Sequence, residues 1–149
     1  MMLPFTNGLI VTNHFDWEMA RLADRHYSRR TPGARQFLYS GRKLVLRNAE
    51  GTVLFGWVYP NPAMRMDGQT GANCAIFRNE SVRLSSDIIL EAECAALEKW
   101  PDVRRFYTYV DPARIRSTNP GCCFKKAGWC RIGVSKAGKF LFAKGSSEA

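Results

Sequence analysis

Between His26 and Gly33 the chain reads His-Tyr-Ser-Arg-Arg-Thr-Pro-Gly, so one short stretch carries an imidazole, a phenol, a hydroxyl and two guanidinium groups. The helical pattern before it stops at His26, and Pro32-Gly33 enforces a turn. These groups therefore fall on a loop, where reactive side chains are more telling than in a core. An imidazole can move a proton near neutral pH, and a phenol or hydroxyl can stabilise developing charge. The plainer reading of the stretch is a helix end, with His26 at the negative pole and Arg29 and Arg30 solvated. A second reactive group, Asp111, precedes Pro112 and directly follows a strand-like run over 104–110. Open α/β sheets hold ligands at such strand ends; the plainer reading here is an Asx turn.

The elements that must position these groups are legible from periodicity and punctuation. Residues 1–12 are apolar around a turn at Asn7-Gly8 and fit a short strand or an arm. A helix is predicted from Asn13, which serves as its cap. Asp16 and Glu18 suit its positive end, Phe15, Met19, Leu22 and Ala23 share one face, and it ends near His26. Strands over 43–47 and 52–59 form a hairpin across 48–51, a loop covers 60–71, and 73–78 is a third strand. A helix over 84–100, capped by Ser85 or Ser86, turns Ile88, Ile89, Ala92, Ala95, Ala96 and Leu97 inward and leaves Glu91, Glu93, Glu98 and Lys99 largely elsewhere. From Asn119 to Val134 the chain reads as a short helix entering a strand. Asn119 caps it, Pro120 takes its first position, Gly128 ends it, and Trp129, Cys130, Ile132 and Val134 are strand material. A strand over 139–143 completes the sheet, and 145–149 is a frayed tail.

A chain of 149 residues fits one domain with a sizeable core. Its 22 Lys and Arg against 13 Asp and Glu give a net charge of +9, spread from Arg21 to Lys144. That balance favours an anionic partner, either nucleic acid or the phosphates of coenzyme A; the bland alternative is a basic soluble protein. Five cysteines, odd in number and without CxxC spacing, suggest neither a disulfide framework nor a zinc site, so a reducing cytoplasm fits. No stretch approaches the roughly 20 apolar residues that cross a bilayer, so no membrane partner is expected.

The order helix, three strands, helix, strand, helix, two strands, ending in an Asn, a short helix and a Gly-aromatic pair, resembles the GNAT acyltransferase fold. The implied class is α/β, with a mixed, mostly antiparallel central sheet flanked by helices. The resemblance implies acetyl-CoA or a related acyl-CoA, lying in a splay between the strands 73–78 and 104–110. Its implied contacts are Ala75, Ile76, Phe77, Arg78 and Asn79, then Arg83, Leu84, Ser85 and Ser86 at the start of the following helix, and Asn119 and Phe124 beyond. Unpaired N–H groups at a helix start do bind phosphate. This chain departs from the family in two places. The run from Arg78 to Ser86 lacks glycine, leaving Arg78, Arg83 and two serine hydroxyls to compensate, and Phe124 stands where many members have a proton-donating tyrosine. Tyr27, Tyr107, Tyr109 and Cys123 are the alternative donors, unless the thiolate leaves unassisted.

His26-Tyr27, Arg78-Asn79 and Asp111 together resemble a divergent, phage-associated branch of that superfamily, the Mom-type DNA-modification proteins. This implies acyl-CoA-dependent modification of a nucleobase amine in DNA, within the cytoplasm of a bacterial host. On that reading His26 or Asp111 accepts a proton from the amine, and Tyr27 and Ser28 stabilise charge or orient the base. Arg29, Arg30, Arg35, Arg114 and Arg116 hold phosphates, and Tyr39, Trp57 or Tyr59 stacks on an exposed base. Core packing is the alternative for Trp57 and Phe77. Two other functions fit the same residues: a conventional GNAT N-acetyltransferase of a small amine or protein, and an inert basic nucleic-acid-binding or host-inhibiting protein.

Overall fold

The computed structural model describes residues 8–26, 38–39, 41–60, 68–114 and 119–145. In chain order the elements are β1 (Ile10–Thr12), α1 (Trp17–Asp24), β2 (Arg42–Arg47), β3 (Val53–Tyr59), β4 (Ala72–Asn79), α2 (Ser85–Lys99), β5 (Arg105–Val110), α3 (Cys122–Lys126), β6 (Cys130–Val134) and β7 (Phe140–Gly145). The strands form one sheet in the order β1-β2-β3-β4-β5-β7-β6. All neighbours are antiparallel except β4 and β5. The opening apolar segment thus supplies a short edge strand, and β7 sits between β5 and β6.

The continuous apolar run of β3 explains the layering. Val53, Phe55, Trp57 and Tyr59 pack with Ile88, Ile89 and Ala92 of α2, whereas Leu54 and Val58 pack with Met19 and Leu22 of α1. Alternate residues of one strand thus enter two different cores, which puts α1 and α2 on opposite faces of the sheet. The Trp57 indole N–H donates to Ala92 O at 2.9 Å and fastens α2 to the middle of the sheet.

Several boundaries differ from the sequence reading, each for a physical reason. α1 begins at Trp17 because Asp16, not Asn13, is its cap: Asp16 Oδ1 accepts from the Glu18 and Met19 amides. Its other oxygen takes bonds from Thr12 and from Arg47 of β2. Asn13 instead receives the Phe15 amide, and Phe15 is left exposed. At α2 the capping position belongs to Leu84, with no side-chain hydrogen bond. Glu93, expected off the packed face, is buried because it accepts from the Trp129 indole and pairs with Lys144, which also donates to Ala127 O. Leu97, expected inward, is exposed. Asn119 does not cap α3: Gly121 holds that place at φ +82°, and the Asn119 carbonyl and side chain receive the Cys122 amide and Lys125. Gly128 does end the helix, at φ +95°, with the Trp129 amide reaching back to Phe124 O. Ile132 and Val134 are exposed on β6, an edge strand. Of the described residues, no helix is long and apolar enough to cross a membrane.

Candidate active site at the splayed strands

The parallel ladder between β4 and β5 pairs Ala72 with Phe106 and Asn73 with Tyr107, and above it the strands part. The cause lies on the other side of β4. Between β3 and β4 the register runs Gly56 to Ile76 and then Trp57 to Cys74, so Ala75 is an extra residue, a β-bulge that bends β4 away from β5. The Thr108 hydroxyl donates to Cys74 O at 2.8 Å, a side-chain bond from β5 to β4 just above the ladder. Above Thr108 the inner edge of β4, including Ala75, Ile76 and Phe77, faces a gap.

At the head of this gap the loop to α2 is organised by one side chain in place of glycines. Asn79 Oδ1 accepts from the Ser81 amide and hydroxyl, while its Nδ2 donates to Arg83 O and to Ser85 Oγ. The loop therefore curls back on β4 and presents the start of α2, where Leu84 provides no side-chain acceptor for the first amides. Ser85 is spent on Asn79, so it does not cap the helix. Arg83, expected to compensate for the absent glycines, is forked onto Glu91 of the same helix through both terminal nitrogens. Arg78 gives Nε to Glu80 at 2.9 Å and Nη1 to Arg25 O at 2.9 Å. Arg25 itself holds Glu80 in a bidentate pair at 2.9 and 3.0 Å. Two guanidinium groups thus converge on one carboxylate beside the loop. The hydrogen bond from Arg25 is the main cause that holds the Glu80 carboxyl below its ordinary range.

His26 follows α1 and lies against the upper part of β4. Burial and the charge of Arg78, against a weaker hydrogen bond to the Phe77 backbone that raises it, bring its pKa from 6.5 down to about 4. The ring is therefore neutral at pH 7 and can accept a proton, with less pull than an unperturbed imidazole. Asp111 stands at the end of β5, across the gap. Its Oδ1 accepts from the Ala113 amide at 3.0 Å and its Oδ2 lies 3.8 Å from Arg114 Nε, which is the Asx-turn arrangement. Both candidates thus sit at the end of the sheet where β4 and β5 have separated.

Tyr39 lies lower on the α1 face, its hydroxyl accepting from Asn73 Nδ2 at 2.7 Å. The chain leaves α1 at His26 beside the top of β4. Leu38 packs where a side chain on Gly56 would fall, 3.0 Å from Leu38 Cδ2. Tyr27, Ser28, Arg29, Arg30, Arg35 and Arg116 lie outside the described residues. The base-stacking expectation for Trp57 and Tyr59 is corrected: both are core residues, with Tyr59 bonded to Asp102 and packed on Trp100. Phe124 is buried too, against Phe77, Trp129 and Phe142. Burial raises both the Cys123 and the Cys74 thiols, so each is protonated at neutral pH. Among the described residues no group of three or more His, Cys, Asp or Glu side chains could hold a metal ion.

Sequence reasoning singled out neither Asn73 nor Arg25. Asn73 had a visible signal, a carboxamide inside the apolar run Ala-Asn-Cys-Ala-Ile-Phe; Arg25 had none, since its partner is distant in the chain.

No family model and no curated protein matches the chain. Its fold does match solved structures. One is the aminoglycoside acetyltransferase AAC(6')-Ib in complex with coenzyme A, at 17% identity and TM-score 0.58 over 93% of this chain and 94% of that one. The same enzyme with coenzyme A and kanamycin matches at 16% identity and TM-score 0.59, over the same shares of the two chains. A GNAT-family acetyltransferase from Bacillus anthracis matches at 11% identity and TM-score 0.58, over 97% and 98%. The chain has the GNAT acetyltransferase fold.

Proposed function

We propose that this protein is an acyl-CoA-dependent N-acyltransferase whose acceptor is an amine of a nucleobase in DNA. The observation that carries the reading is the splay of β4 from β5, produced by the bulge at Ala75 and topped by the start of α2 without a side-chain cap. An extended amide-bearing arm can pair with the inner edge of β4 in place of the missing strand. A pyrophosphate suits the first amides of α2. Arg78, with Arg25 beside it, supplies cations that a phosphate could take from Glu80.

The amine nitrogen attacks the thioester carbonyl; a C–N bond forms, the C–S bond breaks, the amine loses a proton and the thiolate gains one. His26 and Asp111, one on each lip of the gap, are the proposed proton acceptors, with Tyr27 and Ser28 as their partners. The +9 charge supports a polyanionic acceptor, as does the likeness of His26-Tyr27, Arg78-Asn79 and Asp111 to the phage Mom-type proteins.

Incubation with acetyl-CoA and DNA, followed by nucleoside mass spectrometry, tests the proposal. A base carrying one acetyl group is the expected product. A second reading, acetylation of a small cationic amine, is favoured by the aminoglycoside acetyltransferases among the structural matches, and kanamycin in place of DNA tests it. Absence of any heat with millimolar coenzyme A would leave a basic protein without coenzyme chemistry.

A further inference from the structure

Among the described residues one buried side-chain oxygen has no hydrogen-bond partner: Asn73 Oδ1. Asn73 is 8% exposed, and it stands on the last rung of the β4–β5 ladder, opposite Tyr107. Its Nδ2 is committed to the Tyr39 hydroxyl, so the carbonyl oxygen is the half of the amide left for another donor. A buried carbonyl without a donor is destabilising, so native folds seldom keep one without a use for it. Ala72 and Cys74, the residues on either side, belong to the core under α2. Alternation along the strand therefore turns Asn73 to the α1 face, at the foot of the gap.

Of the described charged residues on this face of β5, Arg105 lies nearer in register to its rung than Asp111 does. Arg105, Tyr107 and Tyr109 share this face of β5 by the same alternation, and Arg105 is 6% exposed with its guanidinium 5.6 Å from the Tyr107 ring centroid. Its hydrogen bonds go to Thr70 O at 2.8 Å and Gln69 Oε1 at 2.9 Å, both neutral acceptors. A buried cation whose hydrogen bonds go to neutral acceptors repels an arriving ammonium and is indifferent to a neutral amine.

Resting on the acyltransferase reading, we infer that Asn73 is the acceptor-binding residue and that the acceptor is a neutral –NH2 group, of the kind borne by an aromatic or heteroaromatic ring. Asn73 Oδ1 accepts one N–H of that amine and so aims its lone pair at the thioester held in the gap above. The other N–H supplies the proton that is lost. A carboxylate at this position would instead select an ammonium ion.

The test compares the wild type with Asn73→Ala, Asn73→Ser and Asn73→Asp. Single-stranded oligonucleotides containing adenine and cytosine, kanamycin and a lysine peptide serve as acceptors, with coenzyme A affinity and melting temperature measured in parallel. The expected result is base acylation that falls about 10- to 100-fold in kcat/KM in the alanine and serine variants, the range of one lost hydrogen bond to a reacting group, at unchanged coenzyme affinity. Asn73→Asp should move the ratio of activities toward kanamycin and the peptide. Full oligonucleotide activity in either the alanine or serine variant overturns the assignment, as does a wild type that prefers the ammonium acceptors or acylates none of the three while binding coenzyme A. Failure of the wild type to bind coenzyme A would remove the acyltransferase reading itself, a separate outcome.

Discussion

Replacing Glu80 with Gln should tighten the binding of coenzyme A. In the free protein the Glu80 carboxylate occupies the fork made by Arg25 and Arg78, through contacts of 2.9 and 3.0 Å from the first and 2.9 Å from the second. A phosphate oxygen entering that fork must displace the carboxylate. The side chains of Arg25, Arg78 and Glu80 are 51%, 37% and 29% exposed, so both pairs are solvent-screened. Such pairs are worth about 0.2–1 kcal/mol each, which bounds the cost of displacement at about 2 kcal/mol. Removing the negative charge should therefore lower the Kd by about 2- to 30-fold at low salt. The gain should shrink toward 1 M salt, where screening acts over about 3 Å. Calorimetry with coenzyme A and with dephospho-coenzyme A reads both quantities and tells which phosphate enters the fork. An unchanged or weaker affinity for both ligands at low salt would refute the reasoning and leave Glu80 as a tether between α1 and β4.

Acid should weaken the fold through His26. The unfolded imidazole protonates near 6.5 and the folded one only near 4, so stability is full above 6.5 and declines as pH falls between those values. The loss is about 3 kcal/mol at most. His26→Asn should flatten the melting temperature between pH 7 and 4.5, and an equal slope in the variant would contradict the assignment. Thr108→Val removes the hydroxyl that meets Cys74 O at the foot of the gap. It should destabilise by about 1–3 kcal/mol in urea unfolding, the penalty of a buried carbonyl left without its donor; a change below about 0.3 kcal/mol would mean that another donor takes over.

The sheet was legible where a single strand carried its own signal. The apolar run of β3 and the inward residues of α2 from Ile88 to Ala96 report burial on their own, because the hydrophobic effect acts residue by residue. What local pattern does not carry is the partner at long range. Asn13 and Asp16 are equally good caps by type; Arg47, which is distant in sequence, decides in favour of Asp16. Glu93 reads as a surface residue until Trp129 and Lys144 arrive from the far end of the chain. The candidate site shows the same division. The place of the gap was implied by the resemblance of the element order to the GNAT fold, and His26 and Asp111 fall at the ends of elements as their neighbours in sequence predict. By type Arg83 suits an anion, and only the fold shows its fork closed on Glu91. Asn79, which builds the loop that glycine builds elsewhere, works through four hydrogen bonds whose partners all lie ahead of it in the chain.

The strand order β5-β7-β6 has a consequence for biogenesis. β7 follows all the other described strands in synthesis, yet it pairs on both sides, with β5 along 105–110 and with β6 along 130–134. Until it emerges, β5 has an open edge carrying Phe106, Tyr107 and Tyr109, and β6 has no neighbour at all. A nascent chain halted before Phe140 would present that aromatic edge to any passing strand, which is the geometry of misassembly. Lys144 then reaches Glu93 and Ala127 only when the final strand is seated, so α2, α3 and the sheet are clamped together in one late step. Chains stalled or truncated within the last strand should therefore be lost to aggregation or proteolysis, while fusions that let β7 dock should survive.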